Sequence, residues 1–300
     1  MKTDGNWLSN GLGGQSMKLL QLAAEGRIPA TVSITADTGS ETDRVCSTGE
    51  RLSAPEFFRR YVRPYAESHG IEAVMVRAVD VNKQPLPPLI DVLRNSSGDT
   101  FKEMIRAISV PLFTNDKSAG RLMQSCTDKW KIRAIHQEAR QRGIELLRSA
   151  IGFHSGEVHR LKAGWQETDG EFEVYKPLTK RDGRLTTVKW LEHYYPLIDL
   201  RLNRQQIRED LDRAKLPYLV TTECDHCPHQ DYQRWAMHTP EVIDELAQIE
   251  SKWQGKLFFT DRRIPLKSAL AQMEREHELQ SRQGSLFINF GCEEGAYCGI

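Results

Sequence analysis

The feature that most constrains the fold is a hydrophobic period that switches back and forth within the first 80 residues. "MKLLQLAAEG", from Met17 to Gly26, is apolar at Met17, Leu19, Leu20, Leu22 and Ala23, the spacing of a helix packed on one side. Gly26 stands where a C-cap would end it, and Pro29 follows. "ATVSITADTG" then reads as a buried strand that closes on a polar turn, Asp37-Thr38-Gly39. "APEFFRRYVRPYAESHG" is a second helix closed by Gly70, and "IEAVMVRAV" a second strand. Strand, helix and strand at this spacing predict a parallel sheet with helices on its faces.

The rest of the chain is mixed. Residues 82–100 are rich in Pro, Asn, Ser and Gly and are expected to form a loop. "VPLFT" suits a short strand, "KIRAIHQEARQRG" a helix, and "SAIGFHSG" a buried strand running into a turn. Residues 162–188 are polar and Gly-dotted, which suits an insertion or hairpin. "NRQQIREDLDRAKL" is an amphipathic helix with Asn203 as its cap, and "PEVIDELAQIESKW" and "LKSALAQMEREHELQSRQ" are two more. The division expected is an α/β nucleotide-binding domain over residues 1–200 and a mainly helical region over 201–300.

Composition removes several classes of function. Lys plus Arg number 41 and Asp plus Glu number 41, so no global charge advertises nucleic acid or membrane. No apolar run approaches the roughly 18 residues of a membrane span, and "MKTDGNWLSN" holds no signal-peptide core. A cytoplasmic location without a membrane partner is the expectation. Thiols stay reduced there, so the six cysteines read as ligands or reactive groups more than as disulfides.

Three motifs carry chemistry. Gly11-Leu12-Gly13-Gly14-Gln15-Ser16 precedes a helix, where glycines let a ligand approach the backbone and free N–H groups suit phosphate. Asp37-Thr38-Gly39 closes the next strand, and ligands of open α/β sheets sit beyond strand C-terminal ends. "TECDHCPHQ" holds Cys224 and Cys227 at the spacing that lets two thiolates reach one object. Cys126 precedes a helix, and Cys292 and Cys298 lie in the tail "FGCEEGAYCGI". Zinc held by Cys126, Cys224, Cys227 and His229 or a tail cysteine is chemically open, as are an iron–sulfur cluster and a redox dithiol. His154 beside Ser155, and Arg201 and Arg204 in "DLRLNR", are candidates to meet an anion.

Taken in order, these motifs resemble the phosphoadenosine-phosphosulfate (PAPS) reductase family of PP-loop enzymes. That family has a Ser-Gly-Gly-x-Asp-Ser loop and a strand ending in Asp-Thr-Gly; here Gly11–Ser16 and Asp37–Gly39 stand in those places. "SCTDKWKIRAI" is similar to its Cys-Cys-x-x-x-Lys-x-x-Pro stretch, with Cys126 and Lys131 matching, Ser125 at the first cysteine and Ala134 at the proline. "IGFHSGEVHRLK" resembles its later phosphate-side loop, with Ser155, Glu157 and Arg160 as polar candidates. A subgroup of small bacterial and phage proteins is similar also in "YPLIDLRLNR", "CDHCPH" and "RRIPL". Gln15 departs from the family's loop Asp, which weakens a direct magnesium contact there.

The resemblance implies a Rossmann-like parallel sheet with helices on both faces. It implies an adenine nucleotide, ATP or a relative with Mg²⁺, on Gly11, Gly13, Gly14, Gln15, Ser16, Asp37, Thr38, Gly39, Ser155 and Arg160. Cys126, Cys224 and Cys227 would hold an iron–sulfur cluster with one iron open, zinc being the alternative. Lys131, Cys292 and Cys298 would be catalytic. The activity implied is ATP-dependent adenylation coupled to sulfur transfer onto a nucleobase in tRNA or DNA or onto a small acceptor, with a sulfur-donor protein as a further partner and a homodimer as a compatible state. Reduction of a sulfonucleotide, and a non-enzymatic nucleotide- or nucleic-acid-binding module with structural zinc, are the alternatives.

Overall fold

The computed structural model describes residues 4–96, 108–115, 120–160, 165–168, 171–174 and 191–282. In chain order the strands are β1 (Asp4–Ser9), β2 (Val32–Ala36), β3 (Arg44–Val45), β4 (Arg51–Leu52), β5 (Glu72–Val76), β6 (Phe113–Thr114), β7 (Leu146–Ala150), β8 (Trp165–Thr168), β9 (Glu171–Val174), β10 (Leu191–Tyr194) and β11 (Leu257–Phe258). Five of them form a sheet in the order β10-β7-β1-β2-β5, with every neighbour parallel.

Alternation along the strands explains the layers. On β1, Trp7 and Leu8 point to opposite faces and join different apolar clusters. Leu8 packs with Leu19, Leu20 and Leu22 of helix α1 (Gly14–Ala24) and with Phe57, Phe58 and Val62. Trp7 packs with Val32, Ile34, Leu147 and with Ile135 and Ala139 of the helix Arg133–Gln141. Helices thus cover both faces, and the fold is α/β and Rossmann-like. A third apolar cluster joins Trp235, Leu246, Ile249, Trp253, Phe259 and Leu266 of the C-terminal helical region to Leu89, Leu93, Val110, Leu112 and Trp130.

The strand order fixes where a ligand fits. The chain runs from β1 outward through β2 to β5, then returns to lay β7 on the other side of β1. The direction reverses between β1 and β7, so their following segments diverge and open a crevice beyond the strand ends.

Three details differ from the sequence reading. The loop expected over 82–100 contains a helix, Leu89–Arg94, which buries Leu89, Ile90 and Leu93; the Pro-rich flank hid so short an apolar spacing. The strand expected in "SAIGFHSG" ends at Ala150, and Ile151 onward is already the turn. The helix entered at Cys126 opens with a π-helical stretch, Thr127–Ile132, a widened turn of a kind frequent at functional sites; it carries Lys131. The short strands β8 and β9 pair antiparallel, as a hairpin would.

The helix Arg204–Arg213 lies against α1. A capping box fixes its start, with Asn203 Oδ1 accepting from Gln206 N and Gln206 Oε1 accepting from Asn203 N, both at 2.9 Å. Ile207 and Leu211 enter the α1 cluster. Lys18 of α1, its side chain 4% exposed, donates to Asp210 at 2.8 Å. That bond and the ion pair hold the Asp210 carboxyl below the ordinary aspartate range. A depressed carboxyl contributes stability above its unfolded-state pKa and loses it as pH falls through the folded one. Asp210→Ala is expected to lower unfolding free energy by about 1–3 kcal/mol at neutral pH, because it removes the carboxylate paired with the buried Lys18 ammonium, which keeps its bond to Gln21 Oε1 at 3.1 Å. Urea titration checks this: the deficit should shrink at acid pH, and a pH-independent deficit would contradict the ion-pair account.

Candidate nucleotide and thiol site

The crevice begins with Asn10, which directly follows β1 and is 1% exposed. Its Oδ1 accepts from Leu12 N at 2.8 Å and its Nδ2 donates to Ser33 Oγ at 3.1 Å, so the turn is pinned from within. Leu12 takes φ +66°, a conformation rare for a side chain that size and held by this pin. Gly13 is the N-cap of α1, no side chain caps it, and no acidic residue lies in the first turn. Helix geometry leaves the first N–H groups without intrahelical partners, and their partial positive charge suits an anion. Ser16 Oγ accepts from Gly11 N at 2.9 Å and closes the loop.

The far wall comes from the segment after β7. A Cβ at Gly152 would meet Gln15 Cβ at 3.2 Å, a tight contact, so glycine eases the close approach of this segment to the loop. Gln15 Nε2 donates to Glu157 Oε2 at 3.0 Å, and His154 N donates to the same oxygen at 3.2 Å. Gly156 N donates to His154 Nδ1 at 3.0 Å. The cavity so enclosed has a volume of about 140 Å³, and Arg204, Arg208 and Arg234 share its lining with Gly11, Gly13, Gly14, Gln15 and Ser16. Ser155 donates its N–H to the Leu202 carbonyl and does not line the cavity. The backbone of Arg160 ends the short helix Ser155–Arg160, and its side chain lies outside the described atoms.

A second, smaller cavity of about 40 Å³ lies on the β2 side, sharing Gly11, Leu219 and Thr222 with the first. Ala36, Ala54, Met75 and Leu12 give it apolar walls; Thr35, Asp37, Glu41 and Lys131 are its polar members. Thr35 Oγ1 is buried without a hydrogen-bond partner among the described residues. Asp37 Oδ1 accepts from Gly39 N at 2.7 Å and its other oxygen pairs with Arg77. Gly39 takes φ +67°, and a Cβ there would meet Pro88 at 2.8 Å, so the Asp-Thr-Gly turn requires glycine. Thr38 Oγ1 donates to Glu41 Oε2 at 2.5 Å. Glu41 Oε1 accepts from the Cys224 thiol at 3.4 Å and lies 3.6 Å from Lys131 Nζ. Thr38, Glu41, Lys131 and Cys224 therefore form one buried polar cluster at the edge of the smaller cavity.

The cysteine loop reaches this position because Asp225 ties it to residues 40–44. Asp225 N donates to Ser40 O at 2.9 Å, and its Oδ2 accepts from Thr42 N at 3.2 Å and Thr42 Oγ1 at 2.7 Å. Its Oδ1 lies 2.6 Å from Arg44 Nη2, with side chains 9% and 2% exposed. Burial pushes the Asp225 carboxyl up, while Arg44 and the Thr42 bonds pull it down. Gln230 Nε2 donates to the carbonyls of Cys224 and Asp225 at 3.0 and 3.1 Å and shapes the turn. Leu219 N donates to Leu12 O and Val220 N to Val45 O, which laces the glycine loop to the same framework.

The structure brings Cys126, Cys224 and Cys227 into one apolar cluster, Cys224 and Cys227 being 5% exposed and Cys126 half-buried. Three enclosed thiols suit a thiophilic metal or an iron–sulfur cluster in kind. Among the described residues, no group of three His, Cys, Asp or Glu side chains stands in a metal-holding arrangement. His229 is engaged elsewhere: Arg121 meets its Nδ1 at 3.0 Å and Gln124 Oε1 its Nε2 at 3.1 Å. His226 is 1% exposed, both ring nitrogens lack partners among the described residues, and burial pushes its pKa to about 3, so it is neutral. Cys292 and Cys298 lie outside the described residues.

Sequence reasoning missed Asn10, Gly152, Arg208, Arg234 and the role of Asp225. Arg208 alone left a legible trace, four residues from Arg204 on one helix face. Arg201 is exposed and lines neither cavity.

No family model matches the chain, and no curated protein matches it. Among solved structures it is similar to the U34-tRNA thiolase NcsA from Methanococcus maripaludis with its 4Fe-4S cluster. Identity is 14%, coverage is 93% of this chain and 74% of that one, and the TM-score is 0.41.

The Asp225 tie is testable. Asp225→Ala leaves the Arg44 guanidinium buried and unpaired, which is expected to cost about 3–5 kcal/mol of stability. Arg44→Met with Asp225→Leu should recover much of that loss, while alkylation of Cys224, followed by mass spectrometry, should be faster than in wild type because the cysteine loop is no longer held. A double variant as unstable as the single one, or with Cys224 as protected as before, would contradict this role.

Proposed function

We propose that the chain is an ATP-using enzyme of the PP-loop type, related to the PAPS reductases, that adenylates an acceptor and replaces the AMP with sulfur. One observation carries the reading: an uncapped helix N-terminus and three arginines share a cavity at the sheet's reversal point, and Gly11, Leu219 and Thr222 also line the adjoining cavity that holds Lys131 and Glu41, the latter bonded to Cys224.

In this reading the triphosphate, with the Mg²⁺ that accompanies it, lies on Gly11–Ser16. The nucleoside enters the smaller cavity against Met75 and Ala36, where the Thr35 hydroxyl supplies the hydrogen bond it otherwise lacks. Thr38 and Glu41 hold Lys131 at the junction, where its ammonium stabilises charge on the α-phosphate. The acceptor oxygen bonds to the α-phosphorus as the bond to the β-phosphate oxygen breaks, and pyrophosphate leaves. A sulfur nucleophile from the thiol side then attacks the acceptor carbon, and AMP departs with the oxygen.

Cys126, Cys224 and Cys227 would hold an iron–sulfur cluster, which when bound supplies an iron site able to carry sulfide. Cys224 meets Glu41, which lines the smaller cavity, and Thr38. The acceptor class proposed is a nucleobase in tRNA or DNA, whose exocyclic carbonyl oxygen can be adenylated.

Pyrophosphate release from ATP tests this, with the anaerobic protein and total tRNA or DNA as acceptor. Lys131→Met is expected to lower the rate by roughly 10²-fold with ATP binding largely kept. Failure of the wild type to bind ATP or to release pyrophosphate with either acceptor would overturn the reading.

A further inference from the structure

Thr222, Glu223 and Cys224 are consecutive, yet they serve different parts of the site. Thr222 and Glu223 line the larger cavity, while the Cys224 thiol meets Glu41, a wall of the smaller one, at 3.4 Å. A Cβ at Gly13 would meet Thr222 Cγ2 at 2.8 Å, so this stretch is pressed onto the glycine loop. A ligand seated on the loop therefore lies against the residues that lead into the thiol.

Glu223 is 4% exposed. Its Oε2 accepts from Thr222 N at 3.1 Å, which folds the side chain back on its own backbone. The charge set against its Oε1 is Arg234, whose Nη1 lies 3.2 Å away. That nitrogen is buried and makes no aligned hydrogen bond among the described residues, so its donors are not spent on the carboxylate. Arg234 rises from the four-residue helix Tyr232–Trp235, held by the Asp231 cap and by Trp235 in the apolar core. Its stem is fixed, and its side chain serves both the carboxylate and the cavity wall.

A phosphate carries more charge than a carboxylate and takes both arms of a guanidinium fork. An anion in the cavity that engages Arg234 leaves Glu223 as a buried charge without its counter-charge. Such a charge is costly where it stands, and moving Glu223 moves its neighbours.

We propose that Arg234 and Glu223 are positioning residues that report occupancy of the larger cavity to the thiol. A bound anion draws the Arg234 guanidinium away from Glu223, the stretch 222–224 shifts, and Cys224 leaves Glu41. This rests on the nucleotide reading above and deepens it, because exposure of the thiol becomes conditional on a filled nucleotide site. Neither residue touches the reacting atoms.

Alkylation of Cys224 by iodoacetamide, followed by mass spectrometry on the metal-free full chain, tests the link. Saturating ATP is expected to speed it about fivefold or more in wild type, the scale of ordinary coupling between sites. The two variants should behave oppositely. In Arg234→Met, Glu223 has lost its counter-charge at the outset, so Cys224 reacts fast with or without ATP. In Glu223→Gln the side chain is neutral and keeps its bond to Thr222 N, so Cys224 reacts slowly with or without ATP. A merely structural pair would loosen the turn in both variants. Cys46, 1% exposed in another apolar cluster, reports unfolding and should stay slow throughout; if Arg234→Met exposes it, Glu223→Gln decides. An ATP response retained in Glu223→Gln, or none in a wild type that calorimetry shows to bind ATP, would overturn the proposal. A wild type that binds no ATP would sink the nucleotide reading and this coupling together.

Discussion

Asp225 is a carboxylate taken out of water and placed against an equally buried arginine, and the candidate site depends on that arrangement. A charge so enclosed is tolerated only when its partner and its remaining lone pairs are satisfied. Thr42 gives one carboxylate oxygen two hydrogen bonds, Arg44 sets the opposite charge against the other, and the Ser40 carbonyl takes the Asp225 N–H; each belongs to the segment that follows β2. The same residue lies inside the Cys-x-x-Cys turn. One electrostatic requirement therefore forces two segments about 180 residues apart in sequence to lie side by side. Thr38 and Glu41 meet Cys224 as a consequence.

The sheet supplies the other half. Its reversal between β1 and β7 opens a crevice at the strand ends, and α1 points its uncapped N-terminus into that space. Leu219 and Thr222, on the way to the cysteine turn, line both cavities. The two cavities thus share a wall built from the stretch of chain that leads into the cysteine turn. Water is largely excluded near Cys224 and Glu41, so charges there act at lower effective dielectric than at the surface.

Much of this was legible in the sequence, and what was legible was local. The period switch from 3.6 to 2 placed α1, β2, the helix ending at Gly70 and β5, because those segments bury one clear stripe or face. The glycine loop, Asp37–Gly39, Lys131 and the cysteines were visible as motifs; the loop, Asp37 and Lys131 line two adjoining cavities, while Cys126, Cys224 and Cys227 join a separate apolar cluster. The helix Leu89–Arg94 was hidden because prolines on its flank outweigh a single apolar turn. Asp225 could not be read as a tie, because its partners are long-range and an Asp between two cysteines looks like any turn residue. Gly152 and Arg234 act through close approach and a cavity wall, which no local pattern encodes.

In the proposed function, nucleotide and thiols occupy one site. Iron and sulfide analysis of anaerobically reconstituted protein, followed by electron paramagnetic resonance of the reduced sample with and without ATP, tests it most directly. The account predicts about four irons and four sulfides per chain. It also predicts a signal lost in Cys224→Ser and altered in line shape when ATP binds to the wild type. A protein with one zinc and no iron, or a cluster signal untouched by saturating ATP, would contradict it.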